Sequence, residues 1–278
     1  MYQRFKRLLS YLRYGIQPQI IKANIVVSSA SGRLANKNII ITGGGRGLGY
    51  YIAKKAIEEG ANVIITGRNQ ETLIKATKRL NDKCKFVVFD VTQISQIASF
   101  FDKCEELFNA NIDCLVNNAG ISLHEGNIQN VTIDSWNKQF MTNLQGPYFL
   151  SQEFSKRFVE NQQSNGSIIF ISSERGLYCD DIPYGLIKSS INSLTAGLGR
   201  RYISNGLRVN AVAPGVTASD MTGFSKEGDL SRPIACGGRV YLPEEVAEVV
   251  AFLLSDAAGA ISSQIIPCNR GNHLRCDW

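Results

Sequence analysis

The string Gly43-Gly44-Gly45-Arg46-Gly47-Leu48-Gly49 follows the apolar run NIIIT (38–42) and opens into the helix-patterned YYIAKKAIEEG (50–60). Glycines here let the backbone turn sharply and lie close to a pyrophosphate, whose oxygens then face the N–H groups of a helix N-terminus. A glycine-rich string alone is a weak signal; between a buried strand and a helix it marks a candidate dinucleotide site. The next apolar run, NVIIT (62–66), ends in Gly67-Arg68-Asn69. A site for NAD places Asp or Glu there to accept from the ribose 2′-hydroxyl. Gly67 stands in that position, Arg68 follows it, and Arg46 sits in the glycine loop. Two guanidiniums and no carboxylate suit a 2′-phosphate, so the expected cofactor is NADP (NADPH).

Such a loop needs a sheet behind it. Beyond the two runs above, short β-rich apolar runs recur at 85–89 (KFVVF), 112–116 (IDCLV), 167–171 (SIIFI), 207–213 (LRVNAVA) and 264–267 (QIIP), separated by longer helical stretches. Runs that are apolar throughout, without alternation, are strands buried on both faces of a parallel sheet. Repeated strand–helix alternation gives an α/β fold: a single doubly wound parallel sheet, Rossmann-like, with helices on both faces. At about 150 residues per domain, 278 residues allow one large domain or two modest ones. No Pro/Gly/Ser linker interrupts 38–278, so one domain is expected over 34–278.

Composition removes several functions. Hydrophobic residues make up 44% and charged residues 19%, ordinary globular usage that excludes a disordered or collagen-like chain. The seven cysteines are scattered with no CxxC pair, which argues against a disulfide framework or a thiolate zinc site and fits a reducing compartment. With only His124 and His273, a histidine metal centre is not expected. The net charge of +6 belongs to one end of the chain. Residues 1–38 hold Arg4, Lys6, Arg7, Arg13, Lys22, Arg33 and Lys37 and no acid; the rest, 23 Lys/Arg against 24 Asp/Glu, is nearly neutral and gives no footprint for nucleic acid. Phe5, Leu8, Leu9 and Leu12 fall on one helical face within that basic arm. A basic amphipathic helix reads as peripheral membrane contact through residues 1–16, with a mitochondrial presequence or a packed helix as alternatives. Cytoplasmic placement is the leading expectation. Residues 24–36 read as a small-residue linker, and 1–33 as arm and linker together.

Further along, NNAG (117–120), MTNLQGPYFL (141–150), SIIFISS (167–173), YGLIK (184–188) and RVNAVAPGVTASDM (208–221) follow the glycine loop in order. With TGGGRGLG (42–49), these segments resemble the short-chain dehydrogenase/reductase family, and among its members the 3-oxoacyl-carrier-protein reductases. The resemblance covers about residues 34–271; each motif is modest alone, and their order and spacing are specific. It implies that Tyr184 is a general acid/base, that Lys188 one helical turn on favours its phenolate and holds the nicotinamide ribose, that Ser173 hydrogen-bonds the substrate oxygen, and that Asn143 holds a relay water. It further implies cofactor contacts from Gly43, Gly45, Arg46, Gly47, Leu48 and Gly49, from Arg68, from Asp90 and Val91 by the adenine, from Asn118, Ala119 and Gly120, and from Pro214, Gly215 and Thr217 near the nicotinamide. A homodimer or homotetramer through long helices at about 132–160 and 182–204 is implied as well.

The expected activity is hydride transfer between nicotinamide and a small-molecule or carrier-bound carbonyl, or the reverse oxidation of a secondary alcohol. A catalytically silent protein of the same fold, or a nucleotide-sugar-modifying relative, are the alternatives. Two departures from the family pattern stand out. Only ten residues separate Ser173 from Tyr184, and Ser172 is adjacent; Gly176, three after Ser173, favours Ser173. The segment expected to end Asp-Gly-Gly reads Asn269-Arg270-Gly271. In the polar segment after Thr217, Arg232 and Arg239 either meet an anionic substrate or pair with acids. His124 either sits at the pocket mouth or is a surface residue.

Overall fold

A computed structural model describes residues 32–225, 230–232, 235–236 and 238–274. The arm through residue 31, including the amphipathic stretch 1–16, lies outside them, as does the tail after Leu274. Seven strands form one parallel sheet: β1 Asn38–Thr42, β2 Asn62–Gly67, β3 Cys84–Val88, β4 Cys114–Asn117, β5 Gly166–Ile171, β6 Leu207–Pro214 and β7 Ile265–Cys268. Their spatial order is β3-β2-β1-β4-β5-β6-β7, and each adjacent pair is parallel. The order reverses direction between β1 and β4, which opens a crevice at the carboxyl ends of those strands, where open α/β sheets bind ligands.

The strands are apolar throughout because both faces are covered. Ile39 and Ile41 pack with Ala53, Val250 and Leu254 on one face, while Ile40 packs with Phe101, Phe154 and Ile191 on the other. The first face is covered by α1 (Gly47–Glu58), α2 (Gln70–Leu80) and α7 (Pro243–Leu254). The second is covered by α3 (Ile97–Phe108), α5 (Gly146–Glu160) and α6 (Pro183–Tyr202). A further helix, α4 (Ile133–Phe140), runs through a π-helical turn, Met141–Gln145, into α5.

The linker expected over 24–36 ends earlier than its composition suggests. Leu34 is fully buried, its N–H donates to Glu59 O at 3.0 Å, and Asn36 N donates to Gly60 O at 3.3 Å. Arg33 pairs with Glu59 at 2.5 Å and with Glu248 at 3.2 Å. One buried leucine and a charged anchor fasten residues 33–36 to the body, an effect that small-residue composition does not reveal.

Candidate active site

The glycine loop is a helix start without a cap. Arg46 at the N-cap of α1 makes no side-chain cap bond, and the first turn carries no acid. The N–H groups of that turn therefore have no side-chain acceptor and are oriented as an anion site. By contrast, Asn69 caps α2 by accepting from Thr72 N at 2.9 Å. Gly43 and Gly47 adopt φ of 65° and 53°, which side chains seldom tolerate. A Cβ on Gly49 would run into Asn118 Nδ2 and the carbonyl of Gly43. An uncapped helix start with no Cβ over it fits a bound pyrophosphate.

Thr42 ties this loop to the next. Its hydroxyl accepts from Asn118 N and Ala119 N, each at 3.0 Å, and Asn118 Nδ2 donates to Thr42 O at 2.9 Å. Asn118, Ala119 and Gly120 are thereby locked beside the glycine loop. Asp90 stands at the end of the β3 segment and accepts from Thr92 N and Thr92 Oγ1 at 3.0 and 2.9 Å. Val91 is buried where α5 begins: a Cβ on Gly146 would come within 2.6 Å of Val91 O. Arg46 and Arg68 are both largely exposed, at 75% and 70% of their side chains. Among the described residues, their carboxylate neighbours are Asp220 at 3.3 Å from Arg46 and Asp90 at 4.0 Å from Arg68. Both guanidiniums are accessible to an anion from solvent.

The segment after β6 closes the far side. Gly215 N donates to Cys268 O at 3.1 Å, Thr217 Oγ1 donates to Gly215 O at 2.9 Å, and Thr217 bridges in parallel to Tyr241. The Tyr241 hydroxyl donates to Asn269 O at 2.7 Å. The chain beyond, Ser219–Thr222, leans back toward the glycine loop through Asp220 and toward His124, whose Nε2 lies 3.2 Å from Met221 O. His124 is an exposed surface residue that touches this segment. Arg239 is held in a fork by Glu245 at 2.9 and 2.7 Å, the acid-pairing alternative of the sequence analysis.

Tyr184 and Lys188 lie on α6 one turn apart, above the end of β5. Pro183 sets the first turn of this helix, and its fixed φ suits that position. Lys188 is buried, and its Nζ donates to Ile171 O at 2.6 Å and sits 5.6 Å from the centre of the Tyr184 ring. Burial pulls the Lys188 ammonium down to about 8 from its ordinary 10.5. The Ser173 hydroxyl lies within hydrogen-bonding reach of the Tyr184 phenol, whereas Ser172 Oγ donates to Asn192 Oδ1 at 2.6 Å. Of the two serines, only Ser173 is placed to share a substrate oxygen with Tyr184.

One expectation changes on this geometry. The Tyr184 phenol is pushed up, not down: burial outweighs the opposing effects of Ser173 and the Arg175 guanidinium. The cause is the burial of the phenol itself, which disfavours its charged form. The Asn143 side chain is committed to the loop after β4: its Oδ1 accepts from Ile121 N at 2.8 Å and its Nδ2 donates to Ile121 O at 2.7 Å. Sequence reasoning missed Thr42, Asn192 and Tyr241. Thr42 carried a readable signal, a hydroxyl ending the strand directly before the glycines; the other two depend on packing between distant segments.

The architecture and these groups together define a dinucleotide-dependent oxidoreductase of the Rossmann type. The family model described as short chain dehydrogenase matches residues 37–229, and the chain belongs to that family. It is 34% identical over 242 residues to a 3alpha-hydroxysteroid dehydrogenase of Mediterraneibacter gnavus, an alignment covering 84% of this chain and 95% of that protein. It is 33% identical over 250 residues to a 3-oxoacyl-(acyl-carrier-protein) reductase of Chlamydia trachomatis, covering 87% and 99%. Among solved structures, a short-chain type dehydrogenase/reductase from Mycobacterium ulcerans superposes with a TM-score of 0.79 at 26% identity, covering 87% of this chain and 91% of that one.

Proposed function

We propose that this protein is an NADP-linked oxidoreductase that interconverts a carbonyl and a secondary alcohol, with Tyr184 as the proton donor and acceptor. The observation that carries this reading is the grouping of Tyr184, Ser173 and Lys188 at the carboxyl end of the sheet that also carries the uncapped glycine loop. Nicotinamide, when bound, supplies or accepts the hydride. The chain's own residues handle binding and the proton. The first turn of α1 holds the pyrophosphate, Arg46 and Arg68 take the 2′-phosphate, and Asp90, Val91 and the 118–120 segment flank the adenosine.

Ser173 Oγ and the Tyr184 hydroxyl converge on the substrate oxygen. In reduction Tyr184 gives its proton to that oxygen, and in oxidation its phenolate removes one. The Lys188 charge stabilises the phenolate formed in the first case. Asn143 keeps the loop after β4 in place through Ile121, and Pro214, Gly215 and Thr217 wall the nicotinamide end. The test is NADPH oxidation, followed by fluorescence, against a panel of 3-oxoacyl thioesters, keto sugars and simple ketones. Absence of turnover across the whole panel would count against the assignment.

Assembly into a homodimer or homotetramer forms part of the same reading. Ile133, Trp136, Phe140, Met141 and Tyr148, on α4, the π-turn and α5, and Leu186 on α6 are exposed apolar side chains along the two long helical segments. No helix among the described residues is long and apolar enough to cross a membrane. Contact with a membrane surface is assigned to residues 1–16, and co-sedimentation with anionic liposomes, lost when residues 1–30 are deleted, is its test.

A further inference from the structure

The ten residues between Ser173 and Tyr184 are closed by one ion pair. Arg175 forms a fork with Asp180, Nε to Oδ2 at 2.6 Å and Nη2 to Oδ1 at 2.7 Å. The Asp180 side chain is 4% exposed. At one end of the fork, Arg175 N donates to Ser173 Oγ at 3.2 Å. At the other, Asp180 Oδ1 accepts from Asp181 N at 2.9 Å and from Ile182 N at 3.3 Å. Ile182 is the N-cap of α6 and makes no side-chain cap bond, and Asp180 holds its N–H just ahead of the helix. A Cβ on Gly185 would overlap the Asp180 carboxyl group, so the residue after Tyr184 must be small for the fork to seat. The fork thus ties Arg175, whose backbone N–H holds Ser173, to the turn that leads into the helix of Tyr184.

We propose that Arg175 and Asp180 are a positioning pair for the reaction at Tyr184, the fork setting Ser173 against the phenol and the guanidinium supporting the phenolate. This rests on the reading of Tyr184 as the proton-transfer group. Among the described residues, the charged groups around Tyr184 are few. Arg175, Asp180 and Asp181 come from the loop, and Lys188 from its own helix. Glu174 is turned onto Asn269 and Asn272 at 3.1 and 3.0 Å, and His273 onto Asn269. The π-turn contributes the neutral Asn143. On α4, Lys138 pairs with Asp134, and on β6 Arg208 bonds carbonyls of α7 and Ser255 at the far end of the strand. Among the described residues, Arg175 is the loop cation whose charge lowers the phenol's proton affinity, acting against burial.

Two readouts test the pair. The protein labelled with 3-fluorotyrosine, its Tyr184 resonance assigned by Tyr184→Phe, is titrated by fluorine NMR with NADP present, through the range of tyrosine ionisation. Turnover is measured with whichever panel carbonyl the wild type reduces. In Arg175→Gln the Tyr184 midpoint moves up by about 1, the low end of what a neighbouring charge does. Its kcat falls about tenfold, KM for the carbonyl changes little, and NADPH affinity stays within about twofold. Arg175→Lys keeps the charge and loses the fork, so it restores the midpoint but not kcat; should the glutamine variant misfold, the lysine variant's lowered kcat at an unchanged midpoint carries the test. An unchanged midpoint and unchanged kcat in Arg175→Gln overturn the proposal, as does full kcat in Arg175→Lys. If the NMR midpoint shifts while the wild type reduces nothing on the panel, the electrostatic half of the proposal stands and the functional reading falls. If Tyr184→Phe abolishes turnover and Arg175→Gln alters neither readout, the reverse holds.

Discussion

Replacing Lys188 by methionine stabilises the cofactor-free protein while removing its activity. Lys188 is 5% exposed, its ammonium reaches one backbone carbonyl, and among the described residues no carboxylate lies within ion-pair distance. Burial lowers its proton affinity from 10.5 to about 8. At about 1.36 kcal/mol per pH unit, that depression corresponds to about 3 kcal/mol of destabilisation with the lysine charged in both states. The sign follows from the protons bound. Between about pH 8 and 10.5 the unfolded chain holds the proton and the folded protein does not, so stability rises with pH through that window; below about 8 the destabilisation is complete. Methionine fills the same stem without a charge, and forfeits one hydrogen bond worth about 1 kcal/mol. Lys188→Met is therefore more stable than wild type by about 2 kcal/mol at pH 7, and the advantage disappears or reverses by about pH 10.5. Urea denaturation of both proteins without cofactor, at the two pH values, measures it. A methionine variant no more stable at pH 7, or a difference that does not change with pH, refutes the electrostatic account of this lysine.

Three further outcomes follow from the geometry. Ser173→Ala lowers turnover by about a hundredfold, while Ser172→Ala, which removes the bonds to Asn192 Oδ1 and to Lys188 O, changes it severalfold at most; steady-state kinetics on one panel substrate decide between them. NADPH binds at least about tenfold tighter than NADH, and Arg68→Asp erases that preference without unfolding the protein, since an exposed substitution seldom changes stability by more than about 0.5 kcal/mol; dissociation constants for the two cofactors check it. Light scattering at micromolar concentration gives a multiple of 30.6 kDa, and a monomer mass contradicts assembly through the exposed apolar faces of α4, α5 and α6.

Much of the fold was readable in the sequence. NIIIT matches β1 residue for residue because all five positions are buried, so the apolar run has no reason to end early. The run at 112–116 becomes β4 at Cys114–Asn117, because Asp113 turns its carboxylate to Asn38 N at 2.7 Å and the ladder starts after it. The helix expected over about 132–160 holds a π-turn at Met141–Gln145 carrying Asn143; apolar spacing cannot signal one extra residue in a turn. The motif order pointed to Ser173, Tyr184 and Lys188, but not to the direction of the phenol's shift, which depends on how deeply distant segments bury it. Arg175 and Asp180 looked like ordinary loop charges. Their pairing depends on a five-residue reach across a loop whose path only the folded chain defines.

The central claim is that Tyr184 transfers the proton. The most direct measurement is the rate of NADPH oxidation by wild type and Tyr184→Phe on a carbonyl that the wild type reduces, with NADPH affinity measured on both proteins. Loss of the phenol should lower kcat by at least about a hundredfold and leave cofactor affinity nearly unchanged, because the hydroxyl acts in the transition state. A phenylalanine variant that keeps most of its turnover contradicts the account.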